Sequence, residues 1–274
     1  MSTVSPIADR VHDDALEEVR VFLSERSDLE QVIGEGLRKS FDEVIDGPRT
    51  GRYRIEQLEK TEKTYIGTKV EIVLRNELEL ERGIVLDNLI CNHEVDTKFS
   101  LTGGWMIPRE AVGEICLLIE GSDNSEIFRV GLLRTIPDVL TNGANQDGKK
   151  SVSAAGKNRI TWLVQKAAMP RNFLLHLNNA DRERIMSHSS GMQRVKELFK
   201  SVTGQIIPRT AIEQVAQQKD PMRRARQMKE KLANEGFQVL CATYETDRAE
   251  FRRHGFTVVS GDEWLSIRLP LGQK

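Results

Sequence analysis

The chain has 274 residues but only three cysteines, Cys91, Cys116 and Cys241, with no CxxC pair among them. Thiols so widely spaced exclude a disulfide framework and a structural zinc site, and they suit a reducing cytoplasm. Cys91 and Cys116 lie in apolar stretches and are expected in the core. No apolar run comes near the roughly 20 residues a membrane helix needs, so no membrane partner is expected. The start, Met1 to Asp14, is polar and acidic rather than basic and then apolar, which argues against a secretory signal. Internal repeats and low-complexity tracts are missing. The five histidines form no cluster with metal or catalytic spacing: His93 is expected on an exposed hairpin and His188 at a helix end.

What is present is the composition of a globular protein, 39% hydrophobic and 30% charged, long enough for one large core or two modest ones. Net charge is also nearly absent, at −1, but the two ends differ. Residues 1–150 hold 19 Lys+Arg against 29 Asp+Glu, whereas residues 151–274 hold 21 against 12. A basic half joined to an acidic half implies that one of them faces an anionic polymer. The change falls near the turn-rich stretch 141–151. Ile160-Thr161-Trp162-Leu163-Val164 reads as one more strand of the first domain, so the expected division is 1–165 and 166–274.

The acidic half contains the most pointed pattern. Asp87 is followed nine residues later by Asp96-Thr97-Lys98. Val95 to Ser100 alternates as a half-buried strand does, with Val95, Thr97 and Phe99 on one side and Asp96, Lys98 and Ser100 on the other. One strand thus presents a carboxylate beside an ammonium. The short run Ile84-Val85-Leu86 is expected to be a neighbouring strand that delivers Asp87 to the same place. Two carboxylates suit a hard cation such as Mg²⁺, which takes oxygen ligands, and the Thr97 carbonyl offers a further oxygen. A lysine beside them can orient or deprotonate a water, or stabilise developing charge. The alternative is a solvated pair on a hairpin.

The surroundings favour the chemical reading. Glu62 to Leu78 reads as an amphipathic helix with Ile66, Val70, Val73, Leu74 and Leu78 on one face, and Glu71 beside that face adds a third carboxylate. Ile115 to Ile119 and Ile127 to Leu133 read as buried strands joined by the turn Gly121 to Ser125. Trp105 is expected to pack rather than meet a ligand. Helix, acid-bearing hairpin and central strands follow the order of the restriction-endonuclease fold. Through Thr50-Gly51-Arg52, Glu62 to Ile72, Asp87 and Val95-Asp96-Thr97-Lys98-Phe99-Ser100, and again in the C-terminal third, the chain resembles the NaeI-type restriction endonucleases. It is more distantly similar to the MutH nicking enzymes. The resemblance implies an α/β, restriction-endonuclease-like PD-(D/E)xK domain with Glu71, Asp87, Asp96 and Lys98 as catalytic residues and Mg²⁺ as cofactor. It further implies double-stranded DNA as substrate, a homodimer, and a second DNA copy bound by a regulatory C-terminal domain. Ser40-Phe41-Asp42-Glu43-Val44 corresponds to the family's ligase-like stretch, but Val44 offers no nucleophile and a helix segment is expected there.

The basic half contains three helical patterns: Met192 to Phe199, Arg209 to Gln218, and Pro221 to Leu232, the last with Asp220 as N-cap and Pro221 at N1. Phe237 to Leu240 and Phe256 to Val259 read as strands of a β ribbon. Three helices and a ribbon make a winged helix-turn-helix, whose last helix would enter the major groove. Arg223, Arg224, Arg226, Gln227 and Lys229 are the donors on that helix, with Arg209 and Thr210 as phosphate contacts. Two other readings stay open: a strand-nicking repair endonuclease of MutH type, and a winged-helix regulator whose nuclease domain is inactive. The intact set of Glu71, Asp87, Asp96 and Lys98 weighs against the latter.

Overall fold

The computed structural model describes residues 12–258 and 261–270. Helices α1 (Asp14–Ser24), α2 (Leu29–Ile45), α3 (Gly47–Thr50) and α4 (Lys60–Glu77) precede the first strand. In α4 the apolar positions Ile66, Val70, Val73 and Leu74 recur at three- and four-residue spacing, and all are buried. The expected helix over 62–78 therefore forms, starting two residues earlier. Ser40 to Val44 is an ordinary part of α2, with Ser40 Oγ donating to the Gly36 carbonyl.

Strands β1 (Glu81–Arg82), β2 (Asn88–Ile90), β3 (His93–Ser100), β4 (Met106–Ile107), β5 (Ile115–Ser122), β6 (Ile127–Arg134), β7 (Lys150–Ser151) and β8 (Thr161–Ala168) follow, with the short helix α5 (Ala154–Lys157) before the last. Six of them form a mixed sheet in the order β1-β2-β3-β5-β6-β8. Only β3 and β5 run parallel; every other neighbour is antiparallel. β5 is buried on both faces over Ile115 to Ile119, so its sequence is continuously apolar instead of alternating. Trp105 is 1% exposed and donates its indole N–H to the Ile119 carbonyl, which confirms it as a packing residue. Buried Asp123 in the β5–β6 turn pairs with Arg38 of α2.

Two expectations fail here. Ile84 to Leu86 is not a strand: the segment forms bends, with Ile84 and Val85 largely exposed. Cys91 is not a core residue: with Asn92 it makes the two-residue β2–β3 turn, both at positive φ (51° and 63°), and it is exposed. Cys116 is buried as expected.

Helices α6 (Phe173–His176), α7 (Asn179–Met186) and α8 (Gly191–Ser201) lead to β9 (Ile206–Pro208), α9 (Arg209–Ala216), α10 (Pro221–Ala233), β10 (Phe237–Cys241), α11 (Glu245–Arg253) and β11 (Glu263–Arg268). The last three strands form an antiparallel sheet in the order β10-β11-β9. The expected strand at Phe256 to Val258 is absent; that stretch is irregular, and Val259 lies outside the described residues. The ribbon partner is instead β11, reached after α11. Its alternation is masked because Trp264, Leu265 and Ser266 are all buried.

The chain divides into two compact units, Met1–Ser40 with Thr64–Pro170, and Phe41–Lys63 with Arg171–Lys274. The turn-rich stretch 141–151 falls within the first. Segment 41–63, N-terminal in sequence, groups with the second. The charge asymmetry narrows accordingly, to 17 Lys+Arg against 23 Asp+Glu in the first unit and 23 against 18 in the second.

Arg194 organises the second unit. It is 8% exposed, and its guanidinium donates to the carbonyls of His188, Ser189, Val215 and Ala216. The last two end α9, where orphan carbonyls and the helix dipole favour a cation. Arg194→Met keeps the apolar stem but strands these acceptors, so a loss of roughly 2–4 kcal/mol is expected. Chemical unfolding followed by circular dichroism measures it. An unchanged midpoint would show the carbonyls to be satisfied by water.

Candidate active site

β3 lies between β2 and β5, and its pleat puts Asp96 and Lys98 on one face. Lys98 Nζ is the centre of a charge cluster. It lies 2.8 Å from Asp96 Oδ1, 2.9 Å from the Thr97 carbonyl, and 3.6 Å from both Glu71 Oε1 and Asp87 Oδ2. Glu71 comes from α4, so helix and sheet supply acids to the same ammonium. Asp87 is placed by the loop before β2, and the Thr97 N–H donates to its Oδ2 at 2.9 Å. All five residues singled out in the sequence (Glu71, Asp87, Asp96, Thr97 and Lys98) are thus brought together.

Three further residues support them. Arg75, one helical turn beyond Glu71, donates to the Asp87 carbonyl at 3.0 Å. Asn88 is buried and donates to Thr97 Oγ1 at 2.8 Å, holding β2 against β3. Lys149 faces the same cleft from the 141–151 loop. The sequence signal for Arg75 was its i+4 spacing from Glu71, and for Asn88 its adjacency to Asp87. Lys149 has no local signal. His93, by contrast, turns away to Glu18 at 2.9 Å.

The cleft has a volume of about 480 Å³ and is lined by acids and bases together, including Glu71, Arg75, Arg82, Asp87, Asp96 and Lys98. Burial pushes the Asp96 carboxyl up to about 7, against the opposing pull of Lys98. Burial also raises the Glu71 carboxyl. Desolvation works to lower Lys98, but Asp96, Glu71 and Asp87 outweigh it and hold the ammonium above its ordinary value. The Cys116 thiol, 3.9 Å from Asp96 Oδ2, is pushed up by burial and stays neutral. Among the described residues no three His, Cys, Asp or Glu side chains converge closely enough to enclose an ion by themselves. A Mg²⁺ ion does not need that, since it binds through one or two carboxylates and completes its shell with waters and phosphate oxygens. Asp87, Asp96 and the Thr97 carbonyl, all hard oxygen donors, fit it.

In the second unit, Asp220 caps α10 by accepting the Arg223 N–H, with Pro221 at the first helical position. Ala225, Met228 and Leu232 are buried, which turns Arg223 and Arg226 outward. Arg224 Nε and Gln227 Oε1 are buried without a hydrogen-bond partner. Lys229 is committed internally: it pairs with Asp247 and lies 4.6 Å over the Tyr244 ring. Arg209 pairs with Glu213 at 2.7 Å, and Thr210 is exposed beside it.

A mixed α/β fold whose central sheet offers two carboxylates and a lysine to one cleft is consistent with the nuclease class. The family model for Restriction endonuclease NaeI matches residues 20–274. The chain is also 40% identical over 233 residues to the type II restriction enzyme NaeI of Lentzea aerocolonigenes, covering 82% of this chain and 73% of that protein. The chain belongs to the NaeI restriction endonuclease family.

The raised Asp96 carboxyl has a consequence for stability. A carboxyl held near 7 when folded, against 3.8 in the free side chain, binds its proton more tightly in the native state. Its contribution is therefore present below about pH 4 and lost as pH rises through about 7. Without metal, thermal stability should fall between about pH 4 and 7. Asp96→Asn should flatten that fall and raise stability at pH 8 by roughly 1–3 kcal/mol. Thermal unfolding in chelator tests this; an Asn variant no more stable than the parent at pH 8 contradicts the assigned cost.

Proposed function

We propose that this protein is a type II restriction endonuclease that hydrolyses phosphodiester bonds of double-stranded DNA at a specific sequence, with Mg²⁺ as cofactor. The observation that carries the reading is the convergence of Glu71, Asp87 and Asp96 on Lys98 in one open cleft. A phosphodiester is anionic and repels nucleophiles, so such a site must counter negative charge and orient a water. Asp87, Asp96 and the Thr97 carbonyl are the groups that would hold Mg²⁺, which supplies charge neutralisation and a more acidic water when bound. Lys98, kept cationic by its carboxylates, is a hydrogen-bond donor aimed at the cleft and suits charge developing on the scissile phosphate. Glu71 positions that ammonium from the helix side. Arg75, through the Asp87 carbonyl, fixes the loop that presents Asp87.

In this reading the second unit is a winged-helix domain that binds DNA. Its element order supports that: α8, β9, α9, α10, β10 and β11 alternate as three helices and a three-stranded sheet, with α11 inserted between the last two strands. Arg223, Arg224, Arg226 and Gln227 on α10 are the proposed base readers, and Arg209 and Thr210 at the start of α9 the phosphate contacts. Lys229, paired with Asp247, serves the fold first. A homodimer belongs to the same reading, because one active site per chain must serve two antiparallel strands, which a two-fold axis provides. So does stimulation by a second DNA copy bound to the winged helix.

A methylation-free plasmid incubated with the protein and Mg²⁺ should be cut on both strands, and chelator should stop the reaction. Asp96→Ala and Lys98→Ala should each slow cleavage by at least about a thousandfold while duplex DNA is still bound. Nicking without double-strand breaks would favour the MutH-type alternative, and full cleavage by both variants would remove the site assignment.

DNA binding by the whole protein should weaken steeply with salt. Arg223→Ala and Arg226→Ala should each cost about 1–3 kcal/mol of binding and relax sequence preference, whereas Arg209→Ala should lower the slope of log affinity against log salt by about one. A one-site plasmid should be cut slowly, and faster when an oligonucleotide carrying the site is added, because filling the effector site favours the competent state. Equal rates with and without the oligonucleotide would reduce the basic unit to a tether.

A further inference from the structure

The segment just before Asp87 has a property that packing does not explain. Ile84 is 91% exposed and Val85 70%, whereas the next most exposed large apolar side chain among the described residues, Tyr65, is 48% exposed. The two are not exposed through looseness. Glu94 of β3 turns its carboxylate on the segment and accepts the N–H groups of Ile84 at 2.7 Å, Leu86 at 2.8 Å and Val85 at 3.3 Å. The Gly83 N–H donates to the Asp87 carbonyl at 3.3 Å, and the same carbonyl accepts from Arg75. A Cβ at Gly83 would fall 2.5 Å from both Glu94 Oε2 and the Leu86 carbonyl, so the loop closes this tightly only on glycine. One carboxylate capping three N–H groups ties down the loop backbone while leaving its tip in solvent.

The tip is also in a telling place. Val85 and Leu86 line the cleft together with Arg82 and Lys149, and the next residue is Asp87 itself. Resting on the reading of that cleft as the site of DNA cleavage, we propose that Ile84 and Val85 form an apolar prong that enters a groove of the substrate duplex beside the scissile phosphate and sets its register against Asp87. The chemistry of the occupant follows from the surroundings. Arg82 and Lys149 match flanking phosphates, while branched apolar side chains suit thymine methyl groups, sugar faces or a partly opened base step. The cations that flank the tip, Arg82 and Lys149, favour a polyanion such as DNA over a second copy of the chain. Because the prong and Asp87 share one hydrogen-bonded loop, a contact at its tip bears on the position of Asp87. Ile84 and Val85 are thus positioning residues.

The test compares the full-length parent with the double variant Ile84→Ser, Val85→Ser and with Arg82→Ala. Cleavage of methylation-free plasmid, retention of its fragments in calcium, solution mass and thermal stability are measured for each. The double variant should keep the parent's mass and unfolding temperature, since neither side chain packs in the fold. It should cut at least about tenfold more slowly and bind more weakly, with an unchanged salt slope, because apolar groups release no counterions. Arg82→Ala should lower that slope. A double variant that binds and cuts as the parent does overturns the prong alone. A loss of activity that accompanies a halved mass overturns it in favour of a second copy as the occupant. A parent that neither binds nor cuts any duplex overturns the functional reading, and the prong with it.

Discussion

Everything in the cleft is arranged around one half-buried ammonium. Lys98 is 18% exposed and bounded by Asp96, Glu71, Asp87 and a backbone carbonyl, so three potential negative charges share one positive one. Such a cluster is costly to bury and repels itself when the carboxylates ionise. It persists because each acid is held by a separate element: Asp96 by the pleat of β3, Glu71 by α4, and Asp87 by a loop whose backbone is tied down on several sides. The residual negative charge is what a divalent cation would relieve, and burial raises the Asp96 and Glu71 carboxyls.

The rest of the first unit serves to hold that geometry still. The continuously buried β5 anchors β3 through a parallel ladder, which fixes Asp96 opposite Cys116 and Lys98 opposite Leu118. Asn88 ties the neighbouring strand to Thr97, so the two acids cannot drift apart. The second unit is stabilised by a different device, a buried arginine that collects the carbonyls at a helix end.

Much of this was legible in the sequence where local rules decide. The alternation of Val95 to Ser100 and the three-four spacing of Ile66, Val70, Val73 and Leu74 report burial directly. The Asp220-Pro221 pair likewise marks a helix start through capping geometry. The misreadings occur where a distant residue overrides a local pattern. Ile84-Val85-Leu86 has strand composition, but Glu94, some ten positions on, takes its N–H groups before a ladder can. Cys91 has apolar neighbours, yet a two-residue turn requires positive φ there and expels it from the core. Phe256 to Val258 lost the ribbon position to β11, which pairs with both β9 and β10. The grouping of 41–63 with the C-terminal residues has no local signature at all, since it depends on contacts more than a hundred residues away.

In the proposed function, Asp87 and Asp96 together make a divalent-cation site next to Lys98. Titrating Mn²⁺ into the protein and following its electron paramagnetic resonance signal tests this without reference to DNA or turnover. One saturable site per chain is expected, competed by Mg²⁺ and lost in both Asp87→Asn and Asp96→Asn. Binding that persists unchanged in either variant, or no saturable binding at millimolar ion, would contradict it.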